Sequence, residues 1–299
     1  MDLDISRRAS LMFGAAAMLG PGAAMASSAD AARALELDAP GARARIRAKI
    51  MGSTAAEPVY TYLRIHIYGY RHDGNLIPFY TMNNLNIRRW SPQPDGSFKA
   101  QVFECGTYSK FDTDEPLDEW DNPITGERIK VWNFLGGPLN LTVGADGDIA
   151  TGAEATVKPK PLNFQVFGGN VFMLQASAFS YPNPFKPSEW PKESSGERTY
   201  WDSHYLFSAK LADVLDPARP SAPSFVQLQN LVSWGYWIRM GQTPGRTWGR
   251  GFGAKLASLD ELPKPVRAEM EKKTPKIFDL DGWTSFVDEV AEYKRTHTP

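Results

Sequence analysis

Two of the four histidines in the chain lie in segments whose neighbours suit acid-base chemistry. His204 follows Asp202 at a spacing of two residues, and His66 lies in a run of aromatic and basic residues. Histidine has an ordinary pKa of about 6.5, so its ring can take up and return a proton close to neutral pH. We predict that His204 or His66 is a general base and that the carboxylate of Asp202 orients the ring of His204.

Other side chains could stabilise the charge that proton abstraction creates and hold a flat molecule. A guanidinium stays charged and offers a planar fork of donors, so it suits an oxyanion or a phenolate. The candidates for this role are Arg64, Arg239 and Arg246. Aromatic side chains stack on flat ligands. The candidate stacking surface consists of Trp234, Tyr236 and Trp237.

Other chemistries have no matching pattern in the sequence. No two histidines have the spacing of four residues that metal-binding helices use, and Cys105 is the only cysteine. The glycine-rich run 249–253 does not follow a strand and open a helix, as a phosphate-binding loop would. No Gly-x-Ser-x-Gly motif is present. We therefore expect neither a metal nor another cofactor, and a metal site would have to combine His66 and His204.

The residues of 58–71 alternate in character, as expected for a β-strand. Leu63, Ile65 and Ile67 share one face and suit a hydrophobic core. The opposite face is too polar for a dry core and too aromatic for an ordinary solvated surface. It consists of Tyr62, Arg64, His66 and Tyr68. We predict that this polar face lines a cavity and that its residues contact the substrate.

Similar faces recur on other predicted strands. Asp202 and His204 share one face, and Glu104 shares another with Tyr108. A third face contains Gln229, Trp237 and Arg239, together with Gln227 and Ser233. Polar groups that face inward need hydrogen-bond partners, which a ligand can provide. The alternative is a wall of side chains that bond only to one another and have a structural role.

The whole pattern predicts a mainly β fold: a large antiparallel curled sheet or barrel, lipocalin-like in outline, with two C-terminal helices. About nine strands are expected. The predicted strands cover 58–71, 76–90, 98–111, 115–120, 128–134, 164–181, 199–206 and 225–240, with a long surface connection at 136–161. The helices are predicted to begin after Ser258 and to include Trp283 to Val290. A barrel of about eight strands is wide enough for one small ligand.

The first 26 residues have the features of an export signal of the twin-arginine type. Arg7 and Arg8 precede an apolar run of nine residues, too short for a lasting membrane anchor, and Ala24-Met25-Ala26 form a cleavage site. We predict a periplasmic protein that uses the twin-arginine export machinery, with the general secretory route as the alternative. A polar lead-in at 27–57 and one β-rich domain at 58–299 follow.

The net charge of -1 and the lack of a dense basic block exclude nucleic acid as an expected partner. A small apolar or aromatic molecule is the expected partner instead.

Several short segments resemble a known family. In the second half they are Tyr181-Pro182-Asn183-Pro184, the stretch from Trp234 to Gly245, and 255–263. The first half contributes Asn84-Leu85-Asn86-Ile87-Arg88, 120–127 and 137–140. Together they resemble the bacterial and fungal family called domain of unknown function 1838. The resemblance covers nearly the whole mature chain and implies one β-rich domain, but no activity.

Two classes of function fit these residues, and a third is weaker. The first is a cofactor-independent lyase or isomerase that abstracts a proton from a small aromatic or phenolic molecule, for example in retro-aldol cleavage of a C–C bond. The second is a non-catalytic periplasmic carrier of hydrophobic or phenolic molecules. The third is an accessory protein that binds a partner through segment 136–161.

Overall fold

The computed structural model describes residues 33–72, 74–150, 162–281 and 287–298. The predicted signal at 1–26 lies outside these residues. The predicted second C-terminal helix is described only from Val287 onwards. Among the described residues, no helix is long and apolar enough to cross a membrane.

Ten strands form one antiparallel sheet that curls into a half-barrel. They are β1 (Val59–Tyr70), β2 (Ile77–Pro92), β3 (Phe98–Ser109), β6 (Phe134–Val143), β7 (Ile149–Ala150), β8 (Asn163–Phe167), β9 (Asn170–Pro182), β10 (Arg198–Lys210), β11 (Ser224–Val232) and β12 (Arg246–Leu256). Their order across the sheet is β7-β6-β3-β2-β1-β12-β11-β10-β9-β8. The mainly β, curled architecture predicted from the alternating segments is confirmed.

Smaller elements cover the two faces of the sheet. A separate hairpin is formed by β4 (Glu119–Asp121) and β5 (Arg128–Lys130). The helices are α1 (Ala42–Met51), α2 (Leu211–Leu215), α3 (Lys264–Lys273) and α4 (Glu289–Thr296), and the 3-10 turns are Tyr236–Ile238, Leu259–Glu261 and Pro275–Phe278.

Directly paired residues of antiparallel strands lie on the same face of the sheet, so the register defines two faces. On the concave face, Leu63 and Ile65 belong to the main hydrophobic core. On the convex face, Leu85 and Ile87 pack against the apolar side of α3, which contains Val266 and Met270. Helix α3 therefore covers the β2–β3 part of the convex face.

Helix α1 fills one end of the concave side. Its Arg47 is buried and donates hydrogen bonds to the carbonyl of Gly147 at 2.6 Å and to the side chain of Gln175 at 2.6 Å. Lys255 donates to the carbonyls of Lys49 and Gly52 at 2.7 and 2.8 Å. Segment 27–57 thus contains a buried helix, where the sequence indicated only a polar lead-in. The helix can be buried because its Arg47 and Lys49 donate hydrogen bonds to main-chain carbonyls.

Two predicted strand boundaries are wrong, one predicted strand is a hairpin, and one strand was not predicted. The predicted strand at 164–181 consists of β8 and β9, which pair as a hairpin. Residues 134–143 form strand β6, so the predicted surface connection at 136–161 begins inside the sheet. The predicted strand at 225–240 ends at Val232, and the aromatic run beyond it turns into the concave side. Strand β12 was not predicted, yet it joins β1 to β11 in the middle of the sheet.

Candidate functional site

A cavity of about 560 Å³ lies on the concave side of the half-barrel. Its floor is formed by concave-face residues of β1, β2 and β3, and its side wall by residues of β10 and β11. The aromatic turn at Tyr236–Ile238 and the start of α4 close it from above. The volume falls within the range of small-molecule sites, about 300–1,000 Å³.

The polar part of the floor comes from strand β2. Asn84, Asn86 and Arg88 alternate with Leu85 and Ile87, so the amides and the guanidinium share the concave face while the aliphatic side chains face α3. All three polar side chains line the cavity. The alternation that builds the convex core therefore also delivers polar groups to the cavity.

A hydrogen bond links two floor residues on neighbouring strands. Asn86 on β2 pairs with Glu104 on β3, and its Nδ2 donates to the Glu104 carboxylate at 2.9 Å. The adjacent Asn84 donates to the carbonyl of Cys105 at 3.2 Å. Because ionised carboxylates only accept hydrogen bonds, Glu104 fixes the orientation of the Asn86 amide.

Arg88 places a positive charge at the α1 end of the floor. Burial lowers the pKa of its guanidinium, while Glu104 and then Tyr205 act in the opposite direction. Its one hydrogen bond among the described residues goes to the carbonyl of Met51 at 3.4 Å. A guanidinium carries five N–H donors, so most of them remain available for a negatively charged ligand atom.

Tyr205 on β10 lies in the wall near this charge. Burial and, after it, the nearby Glu104 raise the pKa of its phenol to about 12, while Arg88 acts in the opposite direction. The phenol therefore stays protonated at neutral pH and can serve as a hydrogen-bond donor to a ligand.

Glu289 is a second carboxyl group in the cavity lining. It lies at the start of α4, where the Asp288 side chain accepts hydrogen bonds from the amides of Val290 and Ala291. The chain just before it is held by the amide of Val287, which donates to the carbonyl of Gly137 at 2.6 Å. Glu289 is thus positioned by a helix cap and a strand bridge rather than by the sheet itself.

The environment of Glu289 changes its acidity. Burial raises the pKa of its carboxyl group to about 7, and the negative charge of Glu104 acts in the same direction. The hydroxyl of Tyr236 donates to its Oε1 at 3.1 Å and opposes part of this shift. Burial and Glu289 hold the pKa of Tyr236 far above its ordinary value, so Tyr236 remains a donor. Glu289 can therefore both accept and release a proton near neutral pH.

Aromatic rings make up much of the upper wall. The ring of Trp237 lies 5.1 Å from Tyr108 and 5.2 Å from Tyr80, measured between centroids, and Tyr236 lies 4.7 Å from Phe185. Further rings that line the cavity belong to Trp132, Tyr181, Trp201 and Trp234. A flat, largely apolar ligand would be well matched to these walls.

The face of β1 that we predicted to line a cavity lies on the convex side of the sheet. His66 pairs with Thr81 and Arg250 on the convex face, and its Nε2 lies 3.2 Å from Asp112. The side chain of Arg64 forms an ion pair with Asp114. The cavity described above opens on the opposite side, where Leu63 and Ile65 line it.

The other two β1 residues that we predicted to contact substrate are on the same convex face. Tyr62 donates to the Oδ1 of Asn83 at 2.7 Å, and Tyr68 packs against Phe111 and Trp248. The loop after β3, which contains Phe111, covers part of this face. That cover explains a convex face that is more aromatic than an ordinary solvated surface.

His204 and Asp202 are also on the convex face. The Nε2 of His204 lies 3.8 Å from the Oδ1 of Asp202, so the two side chains are neighbours, but both are exposed. Gln229 pairs with His204 across β10 and β11 and shares this exposed face. None of the three lines the cavity.

The remaining predicted arginines have other partners. Arg239 pairs with Glu127 at 2.8 Å and with Glu193 at 3.2 Å. The guanidinium of Arg246 lies over the ring of Tyr200, 5.3 Å from its centroid. Neither lines the cavity. Two carboxylates contact the guanidinium of Arg239, and its predicted role as an anion holder stays a prediction.

Some sequence predictions do place residues in the cavity wall. Trp234, Tyr236 and Trp237 line it, as do Glu104 and Tyr108. The sequence analysis missed Arg88 and Glu289. The alternation from Asn84 to Arg88 contained a signal for Arg88, whereas nothing in the local sequence marks Glu289. No group of three or more histidine, cysteine or acidic side chains suited to a metal ion occurs among the described residues.

No curated protein matches the chain. The model of one family, described as a protein of unknown function (DUF1838), matches residues 58–284. This range includes the floor strands β1, β2 and β3. Because this match spans most of the chain, the protein belongs to the DUF1838 family.

Proposed function

We propose that the cavity is the active site of an enzyme that moves a proton on a small aromatic or phenolic molecule, as a lyase or isomerase. In this proposal Glu289 is the acid-base group, and the histidines of the convex face have no catalytic role. The observation that supports it most is the buried carboxyl of Glu289, whose pKa of about 7 suits proton transfer in both directions.

The floor supplies the second requirement of such a reaction. When a base removes a proton, negative charge develops on the substrate, and a fixed cation nearby stabilises it. Arg88 has donors free of protein partners among the described residues and lies in the same cavity as Glu289. A titratable base and a cation in one cavity distinguish an enzyme site from a simple binding pocket.

A retro-aldol cleavage shows how these groups would act together. Glu289 takes the proton of a substrate hydroxyl, the carbon that bears this hydroxyl leaves as an aldehyde, and the electron pair of the broken C–C bond passes to the remaining carbon. A carbonyl group attached to that carbon takes up the charge as an enolate, and Arg88 stabilises the enolate oxygen. The proton then returns from Glu289 to that carbon, so atoms and charge balance without a further reactant.

The alternative is a carrier of hydrophobic or phenolic molecules, which the aromatic wall favours. A measurement of turnover distinguishes an enzyme from a carrier. We expect the purified protein, incubated with a panel of phenolic alcohols, to release an aldehyde or an isomer that mass spectrometry detects. Stoichiometric binding of panel members without any product would contradict the enzyme proposal and favour the carrier.

We also propose that the protein works in the periplasm, because of the signal pattern at residues 1–26. Replacement of both Arg7 and Arg8 by lysine should stop export by the twin-arginine route. Cell fractionation of the exporting host would then show the protein in the cytoplasm with its leader uncleaved. Unchanged delivery to the periplasm would instead indicate the general secretory route.

A further inference from the structure

Four buried polar atoms of residues that line the cavity have no hydrogen-bond partner among the residues that the structure describes. Two of them are amide oxygens, which only accept hydrogen bonds: Oδ1 of Asn86 and Oδ1 of Asn230. The third is Oε2 of Glu289, which accepts when the carboxyl group is ionised and donates when it is protonated. The fourth is a donor, Nε1 of Trp132. Because buried polar groups in folded proteins are almost always paired, such a cluster indicates what a bound molecule must offer.

The orientation of Asn86 leaves its oxygen unpaired. The side chain is 5% exposed, and its nitrogen is committed to the carboxylate of Glu104 at 2.9 Å. The amide cannot be turned round without placing two acceptors against each other. Oδ1 therefore needs a donor from outside the protein.

Asn230 has a comparable oxygen on the opposite wall. It pairs with Gly249 on β12, and a Cβ at Gly249 would lie 2.2 Å from Oδ1. Glycine at this position makes room for the oxygen. Strands β2 and β11 are separated by β1 and β12, so Asn86 and Asn230 face the cavity from two sides.

The balance of acceptors and donors selects the chemistry of the ligand. A carboxylate or a ketone only accepts hydrogen bonds and leaves both amide oxygens unpaired. An ammonium group only donates hydrogen bonds, so it leaves the Nε1 donor of Trp132 unpaired. A hydroxyl both donates and accepts, so it can pair with the amide oxygens and with Trp132.

We propose that the cavity binds a molecule with hydroxyl groups at two ends of a flat apolar frame, one bonded to Asn86 and the other to Asn230. The aromatic wall holds the frame, and the donor groups account for the unpaired oxygens. The inference rests on the proposal that this cavity is the working site. It concerns recognition and holds for an enzyme and for a carrier alike.

Four biphenyl probes of equal frame test the proposal: the 4,4′-dihydroxy, 4,4′-dimethoxy, 4,4′-dicarboxylate and 4,4′-bis(aminomethyl) compounds. Binding is followed by quenching of the tryptophan fluorescence of the full chain. An unpaired buried acceptor costs about 1–3 kcal/mol, so we expect the dihydroxy probe to bind at least tenfold more tightly than the dimethoxy probe. Equal or tighter binding of any other probe, or binding of none, overturns the proposal.

Two variants of β11 locate the effect. Asn230→Leu keeps the size of the side chain and removes the acceptor, so the preference for the dihydroxy over the dimethoxy probe should fall severalfold or more. Gln227→Leu changes an exposed residue on the opposite face of the same strand and should keep the preference. If folded Asn230→Leu keeps the full preference for the dihydroxy probe, Asn230 does not bond the ligand hydroxyl and the assignment is contradicted. If that variant does not fold, the comparison of probes on the natural chain still decides. Since no probe is converted, a positive result leaves catalysis to be tested separately.

Discussion

Replacing Glu289 by glutamine is expected to reduce turnover by about 10²- to 10⁴-fold, the usual contribution of a general acid or base. The amide keeps the size of the side chain and can still accept the hydrogen bond from Tyr236. It cannot take up a proton. The measurement is kcat/KM on the best substrate of the phenolic panel, with ligand binding measured in parallel to show that the cavity is intact.

The matched control lies on the same helix. Glu292 is exposed and pairs with Arg295, with Arg295 Nη2 2.6 Å from its carboxylate. Glu292→Gln should therefore retain the activity of the natural chain. If Glu289→Gln also retained full activity, Glu289 would not be the acid-base group, and the proposed mechanism would be wrong.

The pH profile gives an independent test of the same assignment. The pKa of Glu289 is raised to about 7, so the group becomes an ionised base only as the pH rises through that value. For a step that begins with proton abstraction, kcat/KM of the natural chain should increase across this range and level off above it. A profile that instead levels off above about pH 5 would point to a carboxylate with an ordinary pKa.

Alanine variants of the two convex-face histidines test whether the base lies in the cavity. His66 and His204 are on the convex face, away from the cavity, so alanine at either position should leave kcat/KM within about twofold of the natural value. Loss of activity in these variants, with the fold intact, would return the base to the convex face and contradict the site described above.

The sequence predicts much of the sheet because most strands follow the alternation of polar and apolar residues. β1, β2 and β3 have clear two-residue periods, and each pairs with its neighbour along the chain. The failures have physical causes. Gly136, Gly137 and Pro138 hide the strand character of β6, and burial of basic residues hides α1 among polar sequence.

The position of the site was harder to predict than the strands that carry it. Alternation separates the two faces of β1 correctly, but it does not say which face encloses a cavity. Here the concave side contains both the aliphatic core and the cavity. On the convex side, α3 covers apolar residues and the loop after β3 covers polar ones. Glu289 reaches the cavity only through long-range contacts of α4, which no local pattern of residues specifies.

Replacing Gly253 by alanine is expected to destabilise the fold by about 3 kcal/mol, at the upper end of what overpacking usually costs. Gly249, Gly251 and Gly253 place three glycines on the concave face of β12. Strand propensity is low for glycine, so this central strand escapes detection from sequence. A Cβ at Gly253 would lie 1.9 Å from the carbonyl oxygen of Tyr62, and main-chain atoms there cannot move without shifting β1.

Gly136→Ala on β6 is the matched control, because it adds the same methyl group without a close contact. A Cβ at Gly136 would have no described atom within 4 Å, and the backbone there is not left-handed, so alanine should change stability little. Chemical denaturation of both variants gives the difference in free energy of unfolding. Equal stability of the two would mean that β1 and β12 can separate at little cost. In that case, the glycines of β12 would not be required for the curvature that encloses the cavity.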